Sequence, residues 1–448
     1  MNHLHRSPLP CGSNCARKIA QLSLSTVLLF CSGINLLSAA DNPEPALSQT
    51  EEAVTAWVAQ RQEEMIALLE RITNINSGSM NKPGLNAIAT IFADELRQLG
   101  FTLQTLPGSV IEMPHCPGSA LELDLADHLL ARRGGPGPRL LLMGHMDTVF
   151  PPDSPFQTFE RRGNVLHGPG VYDMKGGLVV LLYALKALNE FDLLDDTALS
   201  VLLNSDEEVG SLSSRAYLES EAQRHDYGLV FEGSVNNNLI RQRKGLGQAR
   251  MVVNGRAAHA GSAHQDGRSA IRELAYKIIE MENMTDYETG VTVNVGIVNG
   301  GEARNMVAPC AEAYVDLRYP EPQQGIDAEA RFQEIGNTLY GYPAGSNEIT
   351  TATWTNLHRP PKIPTVESDR LLQRTIDIGR LLGEQIGISD SGGGTDGSLT
   401  QAVGLPTLDS LGLIGNGAHS QREEADALSV VQTTQRAAIL IHRLLNAD

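Results

Sequence analysis

The stretch Arg139-Leu140-Leu141-Leu142-Met143 is apolar without alternation. A strand with one wet face alternates apolar and polar residues, so a continuous run marks a strand covered on both faces. Such a strand needs layers of other structure above and below it. Similar short runs stand at about 128–132, 200–204 and 228–231. Helical patterns separate them, at about 174–188 and 211–223. Alternating strands and helices with doubly covered strands predict an α/β domain around a mostly parallel sheet.

Upstream, Ser48 and Glu51 fit a capping box that opens a helix running to about 75. A second helix is expected over 86–99, ending at Gly100. From Lys244 the texture changes. Strand-like runs at 247–253, 291–298, 311–319 and 348–356 are interleaved with helices at 268–282 and 327–340. The order β-α-β-β-α-β is that of a ferredoxin-like α+β unit. Pro360, Pro361 and Pro364 mark a linker. After it the first pattern resumes, with a helix at 369–382, a glycine loop, a strand at 407–411 and a helix at 430–445. The expected organisation is a catalytic α/β domain, 41–243 and 361–448, with a small unit, 244–360, inserted into it.

The balance of 35 Lys+Arg against 53 Asp+Glu gives a net charge of −18. A nucleic-acid binder needs a basic footprint, so that class is excluded. Past residue 41 no run of 18 or more residues is purely apolar, which excludes a polytopic membrane protein. Residues 1–40 carry Arg6, Arg17 and Lys18 and no acid, then an apolar run, then Ser38-Ala39-Ala40. This pattern reads as a signal peptide, with a periplasmic or secreted product free of the membrane after cleavage. An uncleaved anchor helix is the alternative. Cys11, Cys15 and Cys31 fall in that segment. The remaining pair, Cys116 and Cys310, is too sparse for a disulfide framework and reads as two free thiols without a role.

Five places put metal-type ligands at or just after an expected strand end: His145 with Asp147, Asp173, Glu207 with Glu208, Glu232, and His419. In an open parallel sheet, ligands collect beyond the carboxyl ends of the strands. His145 and Asp147 are two apart and leave extended backbone on the same side. A carboxylate beside an imidazole fixes its tautomer. Of two adjacent glutamates, one can ligate a metal while the other moves protons. Asp173, in a glycine-flanked turn, can bridge two ions. Each residue also has a plainer reading: a hydrogen-bonded histidine, a helix cap, a solvated face.

The segments GHMDTV (144–149), GPGVYDMKGG (168–177), NSDEEVGS (204–211), GRAAHAG (255–261), GGGTDG (392–397) and GAHS (417–420) resemble motifs of one zinc peptidase family. It is the family of glutamate carboxypeptidase, succinyl-diaminopimelate desuccinylase and acetylornithine deacetylase. The resemblance runs from about Trp57 to Leu445 and is closest to glutamate carboxypeptidase. It implies two zinc ions, one held by His145 and Glu232, the other by Glu208 and His419, with Asp173 bridging. Asp147 would orient His145, and Glu207 would be the general base for a metal-activated water. The peptide between Asp173 and Met174 is cis in relatives. The inserted unit would be a lid and dimerisation domain, with His259 reaching the partner subunit's site as an oxyanion donor. Arg318, Asn305 and the backbone at Gly393 would bind the substrate carboxylate. Glu232 matches the carboxypeptidase and deacylase branches, where several aminopeptidases carry Asp. Gly233 stands where some relatives have Pro. The implied substrate is a small peptide or N-acyl amino acid, with glutamate the candidate residue released. A deacylase or aminopeptidase of the same architecture, or a silent binding module, are the competing readings.

Overall fold

The computed structural model of the chain describes residues 44–446, and the expected signal peptide lies outside them. The sheet built on Arg139–His145 has six strands. Their spatial order is Thr102–Leu106, His128–Arg133, Ala198–Asn204, Arg139–His145, Tyr227–Val230 and Thr407–Leu408. The three pairings from Ala198–Asn204 onward are parallel, and the two at the other edge are antiparallel.

The continuous apolar run divides by parity. Leu140 and Leu142 enter a core shared with helices Lys175–Glu190 and Ser429–Leu445. Leu141 and Met143 enter the opposite core with Leu218 and Leu399, from helices Arg215–Ala222 and Asp396–Ala402. All four are fully buried, and each such side chain contributes about 1.5–3 kcal/mol. That double covering makes the strand end, and whatever follows it, a rigid platform.

Helix boundaries differ from expectation where a local contact intervenes. The capping box at Ser48 and Glu51 is present. The first helix is two, Gln49–Ala59 and Gln62–Thr73, with Arg61 out of helical geometry between them and its guanidinium over the Trp57 ring at 3.6 Å. The next helix, Lys82–Gln98, starts four residues early, with Pro83 in its first turn. Lys175 is structural. Its buried ammonium donates to the carbonyls of Ile72 and Ile75 at 3.1 and 2.9 Å, at the open end of Gln62–Thr73.

A second sheet is antiparallel throughout, in the order Thr292–Gly300, Cys310–Tyr319, Gly245–Asn254 and Thr350–Arg359. Helices Ala270–Glu282 and Pro322–Asn337 pack on one of its faces, against Ala249, Met251, Ala313 and Val315. Alternation along the strands puts Gln248, Arg250, Tyr314, Asp316 and Arg318 on the other face. No helix among the described residues is long and apolar enough to cross a membrane.

The hairpin Val110–His115 with Ser119–Asp124 carried no signal read from sequence. It leaves the six-stranded sheet and lies on the strands Gly245–Asn254 and Thr350–Arg359. Cys116, in its turn, forms a disulfide with Cys310 across 194 residues. This corrects the reading of two free thiols. Sequence separation concealed a pairing that the fold creates by setting the hairpin tip beside the first residue of Cys310–Tyr319. The buried Glu312 reinforces the join, accepting from the Cys116 N–H at 3.2 Å and from Arg250 Nη2 at 2.9 Å.

Replacing both cysteines, Cys116→Ser with Cys310→Ser, should lower unfolding free energy by about 2–4 kcal/mol. Urea unfolding under non-reducing conditions measures this, and an unchanged midpoint would show that the disulfide is idle.

Candidate metal centre

His145 closes the strand Arg139–His145. Glu232 follows Tyr227–Val230, and Glu207 and Glu208 form a short 3-10 turn just past Ala198–Asn204. Asp173 precedes helix Lys175–Glu190. His145, Glu207, Glu208 and Glu232 lie at the carboxyl ends of neighbouring parallel strands, and loops bring Asp173 and His419 to them. Two ligand groups result, His145/Asp173/Glu232 and Asp173/Glu208/His419, with candidate donor atoms within 4.8 Å of one another in each group.

Asp173 belongs to both groups. Its Oδ1 is 3.2 Å from His145 Nε2, and its Oδ2 is 3.3 Å from His419 Nε2. His419 Nε2 is 3.1 Å from Glu208 Oε2, and His145 Nε2 is 3.7 Å from Glu232 Oε1. The peptide joining Asp173 to Met174 is cis. Glu423 takes the N–H groups of Tyr172 and Asp173, both at 3.0 Å, and holds this turn in place.

The donor set fits metal cations. His145 Nε2 and Glu208 Oε1 are buried without a hydrogen-bond partner among the described residues. His145 Nδ1 lies 3.0 Å from the Asp147 carbonyl, so that nitrogen carries a proton, and it is Nε2 that a neutral imidazole would present to a metal. Asp173, Glu207, Glu208 and Glu232 also crowd four carboxylates into one site. Buried charges of one sign call for cations.

Asp147 is fully buried. Its carboxylate is 3.4 Å from His145 Nδ1. It also accepts from the backbone N–H groups of Glu207 and Glu208, both at 3.1 Å, and from Ser79 Oγ at 2.7 Å.

The two adjacent glutamates are driven apart. Burial and the Asp173 charge push Glu208 well above the usual carboxylate range. Burial acts on Glu207 in the same direction, but the Arg359 guanidinium together with His145 outweighs it and holds Glu207 below its ordinary value. Arg359 Nη2 lies 2.9 Å from Glu207 Oε1, 3.0 Å from Asp396 Oδ1 and 2.8 Å from Ser211 Oγ. Glu232 is raised to about 7 by burial, against the pull of His145. Hydrogen bonds to Asp173 and Glu208 raise His419 to about 11. His145 is raised too: Asp147, Asp173 and Glu232 prevail over its burial.

These groups border a cavity of about 420 Å³. Its walls include Asp173, Glu207, Glu208, Glu232 and His419 on one side, with Arg318 and His358 from the second sheet on the other. Asp316 takes Arg318 side-on, at Nε and Nη2 (2.7 and 2.9 Å), while Nη1 donates to the Gly392 carbonyl at 3.1 Å. Arg243 also lines the cavity, held through Nε by the buried Asp409 at 2.6 Å. Gly393 is in the wall, but its N–H is engaged by Ser391 Oγ at 3.0 Å. The Tyr172 ring explains Gly233: a Cβ there would lie 2.2 Å from Tyr172 Cε2.

His259 and Asn305 are not part of this cavity wall. Both are exposed, on neighbouring loops joined by Ala260 N–H to the Asn305 carbonyl at 2.9 Å. His259 Nδ1 accepts from Gly261 and Ser262 at 3.1 Å, which leaves Nε2 as the donor.

Reasoning from sequence missed Arg359, Arg243, Asp396 and Glu423. Asp396 lies in the GGGTDG segment, where it had been given no role. It accepts from Asn204 Nδ2 at 2.8 Å and Ser211 Oγ at 2.6 Å, tying that loop to the segment carrying the two glutamates. Arg359 precedes two prolines and looks like a linker charge until the second sheet delivers it to Glu207.

The family described as Peptidase family M20/M25/M40 matches residues 141–446. Carboxypeptidase G2 of Pseudomonas sp. (strain RS-16) is 29% identical over 406 residues, covering 88% of this chain and 93% of that protein. Acetylornithine deacetylase of Proteus mirabilis (strain HI4320) is 28% identical over 357 residues, covering 76% and 84%. A tripeptidase from Staphylococcus aureus superposes with a TM-score of 0.66 at 20% identity, covering 86% and 99%. A dinuclear metal-binding peptidase of Bacillus subtilis gives 0.55 at 13% identity, covering 87% and 99%.

Replacing Arg359 by Met should shift the acid limb of the pH–rate profile upward. Glu207 is held down by the guanidinium, so without it the carboxyl stays protonated to higher pH, and if Glu207 is the general base the protonated form is idle. The limb in kcat/KM should move by about one unit or more. Arg359→Lys should restore part of the shift. An unmoved limb would separate Arg359 from the titrating group.

Proposed function

Because the chain belongs to Peptidase family M20/M25/M40, we propose that it is a two-zinc carboxypeptidase that releases a C-terminal amino acid, glutamate being the first candidate. The observation that carries this reading is Asp173, whose two oxygens are divided between two ligand groups beside a separately held Glu207. His145 and Glu232 would hold one ion, Glu208 and His419 the other, with Asp173 between them. Bound there, the ions polarise the substrate carbonyl and lower the pKa of a water molecule.

The chain's own residues do the rest. Glu207, kept ionised by Arg359, takes the proton of the attacking water and delivers it to the leaving nitrogen. Asp147 fixes the backbone of both glutamates, so the base stays in place as charge moves. Asp316 grips Arg318 from one side, and N–H groups on the free edge of the guanidinium remain for a substrate carboxylate. Arg243, held at Nε by Asp409 and at Nη1 by Ser391 Oγ, offers the second cation that an acidic side chain would need.

His259, with its Nε2 proton, would serve as oxyanion donor in the site of a partner subunit. The homodimer this requires is supported by the edge strand Thr292–Gly300, where Ile297 and Val298 are more than half exposed. The disulfide supports export to an oxidising compartment, periplasmic or secreted. The acetylornithine deacetylase relative favours an N-acyl-amino-acid deacylase as the second reading.

Glu207→Gln should cut kcat by about 10²–10⁴ while the protein still binds two zinc ions per chain. Loss of metal in that variant would exchange the roles given to Glu207 and Glu208. Amidating the substrate's C-terminus should lower kcat/KM by about tenfold to a hundredfold, since a charge-assisted hydrogen bond is worth about 1.5–3 kcal/mol. Arg318→Ala should cost a similar factor on the acid and little more on the amide. Equal rates on acid and amide would remove the carboxypeptidase reading.

A further inference from the structure

His358 and Arg359 are consecutive residues of the strand Thr350–Arg359, and both line the catalytic cavity. A regular strand sends neighbouring side chains to opposite faces. The strand register accounts for the exception. Gln248 pairs with Asn356 and Leu246 with Arg359, so Gly247 alone stands opposite both Leu357 and His358. This is a β-bulge, which re-aims a side chain beside a site. Leu357 packs against the small core, and His358 is turned to the cavity.

The ring is built into the wall. His358 is 5% exposed. It lies against Gly210, where a Cβ would come within 2.8 Å of the His358 Cδ2. Gly210 closes the turn that carries Glu207 and Glu208. Arg359 reaches Glu207, and Arg318 stands across Leu246 from Arg359. The charges of Arg359, Glu207 and Arg318 all bear on the ring. The imidazole thus neighbours both the base and the carboxylate anchor of the reading above.

Burial and the Arg359 charge push the ring down to about 3, so it is neutral near pH 7. A neutral imidazole has one N–H and one lone pair. Nδ1 is sealed in the wall without a hydrogen-bond partner. The Asn356 carbonyl favours a proton on the ring but makes no hydrogen bond to that nitrogen. A sealed donor without an acceptor is the rarer arrangement, so the proton belongs on Nε2. An N–H on the wall near a guanidinium suits a carboxylate, whose two oxygens both accept.

We propose that His358 is a substrate-binding residue, and that its Nε2–H donates to the substrate's α-carboxylate alongside Arg318. The proposal rests on the carboxypeptidase reading and deepens it. Arg318 supplies the charge. His358, from the strand on the other side of Gly245–Asn254, supplies a second direction. Two donors from two strands fix how the carboxylate is turned, and with it the scissile bond relative to Glu207.

The test uses the zinc-loaded full chain and one N-acyl glutamate, offered as the free acid and as the α-amide. His358→Leu removes the donor. His358→Gln places an amide N–H near the position of Nε2, whereas His358→Asn reaches only that of Nδ1. The Leu variant should lose about tenfold more kcat/KM on the acid than on the amide, chiefly through KM. Gln should recover most of that preference for the acid, and Asn little. Equal losses on acid and amide, carried by kcat, would make His358 a support for the glutamate turn and overturn the proposal. A silent Leu variant, or an Asn variant as good as Gln, would overturn it too. Should the Leu variant not fold, the comparison of Gln with Asn decides.

Binding gives a readout that does not depend on turnover. In the Glu207→Gln protein, titration calorimetry with the acid should show a Kd about tenfold weaker once His358→Leu is added, with a smaller change for the amide. If the unaltered protein hydrolyses neither compound but this acid-selective loss of binding is seen, His358 keeps its role and the hydrolase reading falls. Binding of the acid that is absent, or indifferent to His358, overturns the proposal whatever the enzyme hydrolyses.

Discussion

Asp147 is a carboxylate taken wholly out of water, and several parts of the site hang on it. An unpaired charge in that position costs several kcal/mol. Here the cost is offset by the N–H groups of Glu207 and Glu208, by Ser79 Oγ and by the nearby His145 imidazole. The bonds join the ends of two adjacent parallel strands. They also set the direction in which the glutamate side chains leave the backbone. One goes to the shared carboxylate and His419, the other to Arg359. The difference in ionisation between two neighbouring residues is therefore a consequence of how their peptide groups are held.

The second sheet supplies what the first cannot. Strand ends of the six-stranded sheet offer carboxylates and imidazoles, a strongly anionic floor. Arg318, His358 and Arg359 come from strands Cys310–Tyr319 and Thr350–Arg359 and face it. The cavity exists only where the two meet. The hairpin and its disulfide add a covalent join between them, besides the chain crossings near residues 244 and 360.

Much of this was legible in the residues themselves. Strands covered on both faces announce themselves as unbroken apolar runs, and ligands placed just past them are brought together by any parallel sheet. The β-α-β-β-α-β order of the second sheet was readable for the same reason, because periodicity changes at each element. Contacts that depend on long-range placement were not. Arg359 and Arg243 have no local signature, since a buried arginine and a surface one look alike until their acidic partners are located. Cys116 and Cys310 were misread because a hairpin too irregular to show in the pattern carries one of them. The break at Arg61 was invisible because neither a glycine nor a proline marks it.

In strands Gly245–Asn254 and Cys310–Tyr319, odd and even positions answer to different demands. Ala249, Met251, Ala313 and Val315 are confined by close packing against two helices, and a change of one methylene there is felt throughout the small core. Gln248 and Asp316 alternate with them and line the cavity, where a substitution does not enter that packing. Arg250, on the same face, is bound differently: its loss would leave Glu312 buried without its cation. On one strand, then, neighbouring positions of a single face differ in how much change they can absorb.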